Sequence, residues 1–455
     1  MDLLDKERLA PLYARELARF HARIPKSMAA REVARRFMPD GVPMSWMSAF
    51  FSHPPVFVDG GEGSVFRDID GNEFVDFNLA DLSNTVGYGK NAVSRALADC
   101  AARGIQYLQP SMDAINVSAA LAARTGMPFW QYTGTASAAN IEAIRIARAY
   151  TRRDKVVLFT GKYHGHIDTT LAKGGSPEGN EPARPSSMGV SARATADAVN
   201  VAFNDLDHLK AALGKGDVAL VLIEPALTNC SLVLPDPGFL EGAFELTSAA
   251  GALFALDETH TLQMAYGGLI GERGLKADIL TLGKGFGAGV SLGAYGLTPK
   301  LARFIDQHQD SDTVPEPGIA LGGTTYGNAL SMAGARAMLD EVATPEAHTR
   351  IAKLGARLAD GLDAIIAKYD LPWRAFRYGP RSGFCLTPSL PRTYVQALRS
   401  VHADFYNLRH TYLANRGIWD AIVSAGPQVS FAHTEQDVDC YIEVCAELID
   451  EIATG

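Results

Sequence analysis

The chain has 455 residues, 47% hydrophobic and 20% charged, enough for two or three domains around a sizeable core. Its 42 basic residues are outnumbered by 51 acidic ones, a net charge of −9 with no basic block, which argues against nucleic acid as a partner. The longest apolar runs, such as Val218–Ile223, fall far short of the ~20 residues of a membrane span, so no membrane association is expected.

Residues 3–36 read as helical with a break at Pro25, and the charged first residues lack the apolar core of a secretion signal. Met38-Pro-Asp-Gly-Val-Pro43 then forces a loop. Between Phe57 and Phe77, Val65-Phe66 and Phe74–Phe77 flank Asp70-Gly71, the pattern of a two-stranded hairpin. From about residue 90 to 300, helical stretches alternate with short β-rich runs at Val156–Phe159, Val218–Ile223, Leu253–Leu256 and Ile279–Leu282. Helices are predicted at 138–150, 205–213 and 238–249. This is the alternation of a mostly parallel sheet buried on both faces. Helices follow over 329–342 and 345–369, then short strands near 383–386 and a last helix at 435–452. The predicted organisation is an N-terminal helix and hairpin segment (1–85), a large α/β domain (86–330) and a C-terminal segment (331–455). The two end segments join into a smaller domain. Five cysteines without C-x-x-C spacing suit reduced structural thiols in the cytoplasm, and no metal site is expected.

Two residues carry the chemistry. Lys284 follows the buried run Asp278-Ile279-Leu280 and is wrapped in glycines, so its ammonium lacks solvent. Such a lysine is paired, neutral or covalently used. The run Gly251–Leu256 ends in Asp257-Glu258. A carboxylate and a lysine closing successive core strands suit a pyridoxal 5'-phosphate site. There the lysine forms the Schiff base and the carboxylate keeps a proton on the pyridine nitrogen. Gly283-Lys284-Gly285 lacks the spacing of a P-loop, and no dinucleotide fingerprint follows a first strand.

In this order the motifs resemble the class III aminotransferases of fold type I, above all the branch holding glutamate-1-semialdehyde aminomutase and ω-amine or β-amino acid transaminases. The resemblance runs from the 57–77 hairpin to His433-Thr434. It implies catalytic roles for Lys284 and Asp257. Where the family has Ser-Gly-Thr-Glu-Ala at a helix start, this chain has Thr135-Ala136-Ser137-Ala138-Ala139. Thr135, Ala136 and Ser137 would hold the cofactor phosphate, with Gly134-Thr135 as an alternative register and plain helix capping as the competing reading. Tyr163-His164-Gly165 resembles the family's Tyr-His-Gly, which places Tyr163 against the cofactor ring and His164 at the cofactor site. Glu224-Pro225 with Asn229 resembles the Glu-Pro and asparagine near the cofactor's phenolic oxygen, although a strand-end glutamate equally reads as a structural ion-pair partner.

The family's Asp-Glu-Val appears as Asp257-Glu258-Thr259, with Thr259 on the ring face opposite the tyrosine. His260 after it is unusual, and reads as a substrate contact, a supporting partner or a satisfied structural histidine. Gly323-Thr324-Thr325-Tyr326-Gly327-Asn328 resembles Gly-Thr-Phe-Ser-Gly-Asn, whose threonine reaches the neighbouring subunit's cofactor, so Thr324 implies a homodimer with shared active sites.

The cofactor core does not decide the reaction. Relatives acting on amino acids carry an arginine in a Gly-Val-Asn-Ser-x-x-Arg loop. The matching Gly41–Phe51 has none and is aromatic. Trp46 and Phe50, with Tyr163 and His260, are therefore expected to contact substrate, unless the loop is simply core packing. The leading expectation is an ω-type aminotransferase moving an amino group from a hydrophobic amine or β-amino acid to a keto acid such as pyruvate. Arg377, Arg381, Arg392 and Arg416 are the candidate keto-acid anchors. The alternative is an aminomutase or racemase of the glutamate-1-semialdehyde aminomutase type, and a non-catalytic scaffold is the third class.

Overall fold

The computed structural model describes residues 3–176, 182–309, 318–422 and 426–454. The chain divides into two compact units. One combines residues 1–91, 349–390 and 398–455; the other holds residues 92–348 and 391–397. The large unit thus extends beyond residue 330, because helix Ala329–Ala337 lies against helices Ala92–Ala101 and Met112–Thr125.

The large unit is built on seven strands: β1 (Phe129–Thr133), β2 (Lys155–Phe159), β3 (Ala198–Val201), β4 (Val218–Ile223), β5 (Leu253–Asp257), β6 (Ile279–Leu282) and β7 (Gly293–Leu297). They lie in the order β1-β7-β6-β5-β4-β2-β3. All neighbours are parallel except at β7, which is antiparallel to both β6 and β1. Six strands therefore point the same way, and their carboxyl ends line one edge.

The apolar runs are continuous because both faces are covered. Val157, Phe159, Val221, Ile223, Phe254 and Leu256 pack on one side of the sheet. Val156, Leu158, Leu220, Leu222, Leu253 and Ala255 pack on the other. Helix Ala136–Thr151 lies on this second face, and its buried small residues Ala139, Ala143 and Ala147 let it approach closely.

The small unit begins with helices Lys6–Arg23 and Pro25–Ala34. The 57–77 segment forms three antiparallel strands rather than two: Val58–Glu62, Val65–Asp68 and Glu73–Asp76. Ile418–Trp419 adds in parallel to the last of them. Phe20, Phe66, Phe74 and Trp419 form the core beside this sheet. Just beyond it, Leu79, Ala80, Asp81 and Leu82 all have φ between 49° and 64°, one left-handed turn made of non-glycine residues. The Asp76 carboxylate anchors its start, accepting from the N–H groups of Asn78 and Leu79 at 2.9 Å each. All five cysteines are free thiols.

Candidate active site

The strand register brings the two chemical residues together. Asp257, the last residue of β5, lies opposite Thr281 of β6, and Lys284 follows three residues later. Lys284 is half-buried, at the start of a tight turn, with φ 49°. Left-handed backbone at a bulky residue is costly and clusters at functional sites. Gly283 before it abuts the start of helix Ala136–Thr151, where a Cβ would meet that of Ala136 at 2.6 Å.

Asp257 is buried and accepts four hydrogen bonds. Oδ2 accepts from His164 Nδ1 and Asn140 Nδ2, both at 2.8 Å. Oδ1 accepts from the Thr259 N–H at 3.0 Å and the Thr259 hydroxyl at 2.6 Å. Burial pushes this carboxyl up, but the bonds from His164, Thr259 and Asn140 outweigh it and hold Asp257 below the usual carboxylate range. A permanent anion thus sits at the carboxyl edge of the sheet. Asn140 is the hub that composition and motif missed. It also bonds the His164 carbonyl at 3.2 Å and accepts from the Thr281 hydroxyl at 2.7 Å. A lone amide among the alanines of a helix's buried face was the available signal.

Thr135 caps helix Ala136–Thr151, its exposed side chain accepting from the Ala138 N–H at 3.1 Å. The Ser137 hydroxyl accepts from the His166 N–H at 3.1 Å. Gly165, at φ 87°, passes so close that a Cβ would lie 2.1 Å from that hydroxyl. Tyr163 donates its N–H to Glu224 Oε1 at 3.0 Å, and Thr228 donates its hydroxyl to Glu224 Oε2 at 2.8 Å. Burial holds the Glu224 carboxyl above the ordinary range. Glu258 turns away from this cluster and accepts the N–H groups of Leu269 and Ile270 at 2.9 and 2.7 Å.

His260 is buried against Thr228, 2.7 Å from its hydroxyl. Thr324 sits in an exposed turn, held through its carbonyl by Gln106 at 2.6 Å. Trp46 and Phe50 belong to the small unit, their rings 5.1 Å apart. They line a cavity of about 460 Å³ with Met47, Phe51, Tyr88 and Trp419; Asp76 and Asp81 also reach it, and among the described residues its lining includes no lysine or arginine. Of the candidate arginines, Arg392 pairs with Asp236. Arg416 pairs with Glu16 at 3.3 Å and stacks on Tyr412. Arg381 is fully buried and Arg377 is exposed on strand Arg374–Tyr378.

Among the described residues, two buried atoms here have no hydrogen-bond partner: His164 Nε2 and Asn229 Nδ2. Orphaned polar atoms, a fixed anion and a lysine at one sheet edge fit a group with a protonated ring nitrogen and polar substituents. The fit has one crowded point, because four protein donors already fill the sites of Asp257 and the Thr259 hydroxyl must yield to a ring N–H.

Residues 47–378 match the aminotransferase class-III family. The chain is 32% identical over 431 residues to glutamate-1-semialdehyde 2,1-aminomutase 2 of Geobacillus kaustophilus, covering 93% of this chain and 97% of that one. A glutamate-1-semialdehyde-aminomutase from Pseudomonas aeruginosa PAO1, solved as a lysine-to-alanine variant in complex with PMP, superposes with a TM-score of 0.91. It is 33% identical, covering 98% of this chain and 99% of that one. The β-phenylalanine aminotransferase of Variovorax paradoxus superposes at 0.84 with 25% identity, covering 97% of each chain.

Proposed function

Because the chain belongs to the class-III aminotransferase family, we propose that it is a pyridoxal 5'-phosphate enzyme of the aminomutase type, moving an amino group within one substrate. The observation that carries the reading is the buried Asp257 with its four donors, set at the edge from which Lys284 projects. The similarity to aminomutases, 33% against 25% for the aminotransferase, supports placing this reading ahead of the ω-transaminase expected first from the sequence.

When bound, the cofactor supplies an electron sink that lets a proton leave the amine-bearing carbon. Lys284 Nζ would hold the cofactor covalently and would be the group that takes and returns that proton. Asp257 keeps the ring nitrogen protonated, and His164 and Asn140 keep Asp257 charged and oriented. Ala136 and Ser137 would hold the phosphate with helix-terminal N–H groups, Tyr163 and Thr259 would lie against the ring, and the unpartnered Asn229 Nδ2 would be the donor to a polar ring substituent. Thr324 serves the neighbouring subunit of a homodimer. Its exposure, beside the exposed apolar residues Ile105, Tyr107, Leu108 and Met112, supports a subunit interface there. Five free thiols support a reducing, cytoplasmic setting.

A second reading, transfer from an apolar amine to a keto acid, is favoured by one observation: among the described residues, the aromatic cavity of the small unit is lined by no lysine or arginine that could grip a substrate carboxylate. One experiment separates the two. The purified holoprotein is offered a γ-amino aldehyde acid or a β-amino acid alone, then 1-phenylethylamine with pyruvate. Rearranged product without any keto acid supports the aminomutase. Alanine formed only in the second mixture overturns it in favour of the transaminase.

A further inference from the structure

Glu224, Thr228 and His260 form a continuous hydrogen-bonded line, and all three are buried. Thr228 lies between the other two, its hydroxyl 2.8 Å from Glu224 Oε2 and 2.7 Å from His260 Nδ1. A hydroxyl has one proton to give and lone pairs to receive. If Glu224 is ionised, Thr228 must donate to it, so Nδ1 of His260 must carry a proton. If Glu224 carries the proton, Thr228 can accept it and donate onward to a bare Nδ1. Glu224 Oε1 accepts the backbone N–H of Tyr163 at 3.0 Å, whereas the backbone N–H that Oε2 accepts, from Thr228, is longer at 3.4 Å, so the acid proton is better placed on Oε2, facing the Thr228 hydroxyl.

We propose that Thr228 relays a proton between the Glu224 carboxyl and the His260 imidazole, making His260 a positioning residue for the loop that carries Tyr163. The step balances as a double transfer. The Glu224 Oε2–H bond breaks as its proton passes to Thr228 Oγ, while the Thr228 hydroxyl proton forms a new bond to His260 Nδ1. A carboxylic acid and a neutral imidazole become a carboxylate and an imidazolium, with nothing oxidised or reduced.

The consequence is local. With Glu224 charged, the Tyr163 N–H bond becomes charge-assisted and stronger, and the loop is held more tightly. The charged and titratable groups acting on Glu224 are Lys162 and His164 from the loop after β2 and Asp257 from β5. Lys162 is itself tied to the Ala172 carbonyl at 2.7 Å and to Asn200 at 3.2 Å.

The test uses the purified chain as isolated and needs no turnover, so its failure is distinguishable from failure of the aminomutase reading. Histidine ¹⁵N resonances, assigned with His260→Gln, report the imidazole. The infrared band of a buried acid, assigned with Glu224→Gln, reports the carboxyl. In the wild type the two should titrate as one coupled system. Thr228→Val, or Thr228→Ala if the valine variant does not fold, should separate their midpoints by about one pH unit or more. Thr228→Ser should restore the coupling. Independent titration in the wild type, or coupling that survives loss of the hydroxyl, would overturn the relay.

Discussion

Asp257→Asn probes the centre of the site with almost no change in shape. Asp257 accepts from His164 and Asn140 on one oxygen and from the backbone and hydroxyl of Thr259 on the other. An asparagine retains only one acceptor oxygen. If it faces His164 and Asn140, the new NH2 confronts Thr259. The hydroxyl can rotate to accept, but the backbone N–H cannot, and one buried donor is stranded. Such a group costs about 1–3 kcal/mol, and losing the charge behind two further bonds adds about 1 kcal/mol. The expected penalty is therefore about 3 kcal/mol. Urea unfolding followed by far-UV circular dichroism should show a lowered midpoint. Dialysed holoprotein should also lose its visible absorbance, because the ring nitrogen's proton has lost its anion. A variant as stable as the wild type, retaining its cofactor, would refute the four-donor account.

Acid should weaken the small unit through His53, which burial lowers to about 4 among Phe20, Phe51 and His410. Its folded-state pKa lies below the unfolded 6.5, so the unfolded chain binds the extra proton, and stability is complete above about pH 6.5 and falls towards pH 4. About 2.5 pH units at 1.36 kcal/mol each gives a loss of about 3 kcal/mol, which His53→Phe should remove from the pH dependence of urea midpoints. Gly165→Ala should cost about 3 kcal/mol, combining its left-handed φ with a Cβ driven onto the Ser137 hydroxyl; a thermal midpoint within one degree or so of the wild type would contradict it. Lys284→Ala should fold normally, since alanine meets the same left-handed backbone as the lysine it replaces, yet borohydride should no longer fix the cofactor to the protein. Labelling elsewhere in the chain would count against Lys284.

Asp257 and Lys284 were legible because each closes an apolar run of β length, and parallel strands bring such ends to one edge. Glycines at Gly165 and Gly283 were visible too, although only the fold shows that they avoid Ser137 and Ala136. Asn140 was hidden inside an alanine-rich helix whose periodicity announces packing and nothing polar. The strand Phe129–Thr133 alternates exposed and half-buried residues at the sheet margin, and Ala198–Val201 is an edge strand of four, so neither gives the long apolar signal of the centre. The pairing of Ile418–Trp419 with Glu73–Asp76 joins segments more than 300 residues apart, beyond any local pattern. The cavity around Trp46 was anticipated as an aromatic wall, but its two carboxylates were not, since Asp76 read only as part of a hairpin strand and Asp81 carried no signal.

The turn at 79–82 sets a rule for anyone reshaping that cavity. Four L-residues wound against their natural hand hold about 1–2 kcal/mol each, in a segment anchored by the Asp76 carboxylate. Ala80 and Asp81 form part of the wall, so a glycine placed there would release the backbone and deform the chamber in ways a volume calculation would not foresee. Enlargement or re-tailoring is better directed at Met44, Trp46 and Met47, where side chains can be exchanged without disturbing an over-wound main chain.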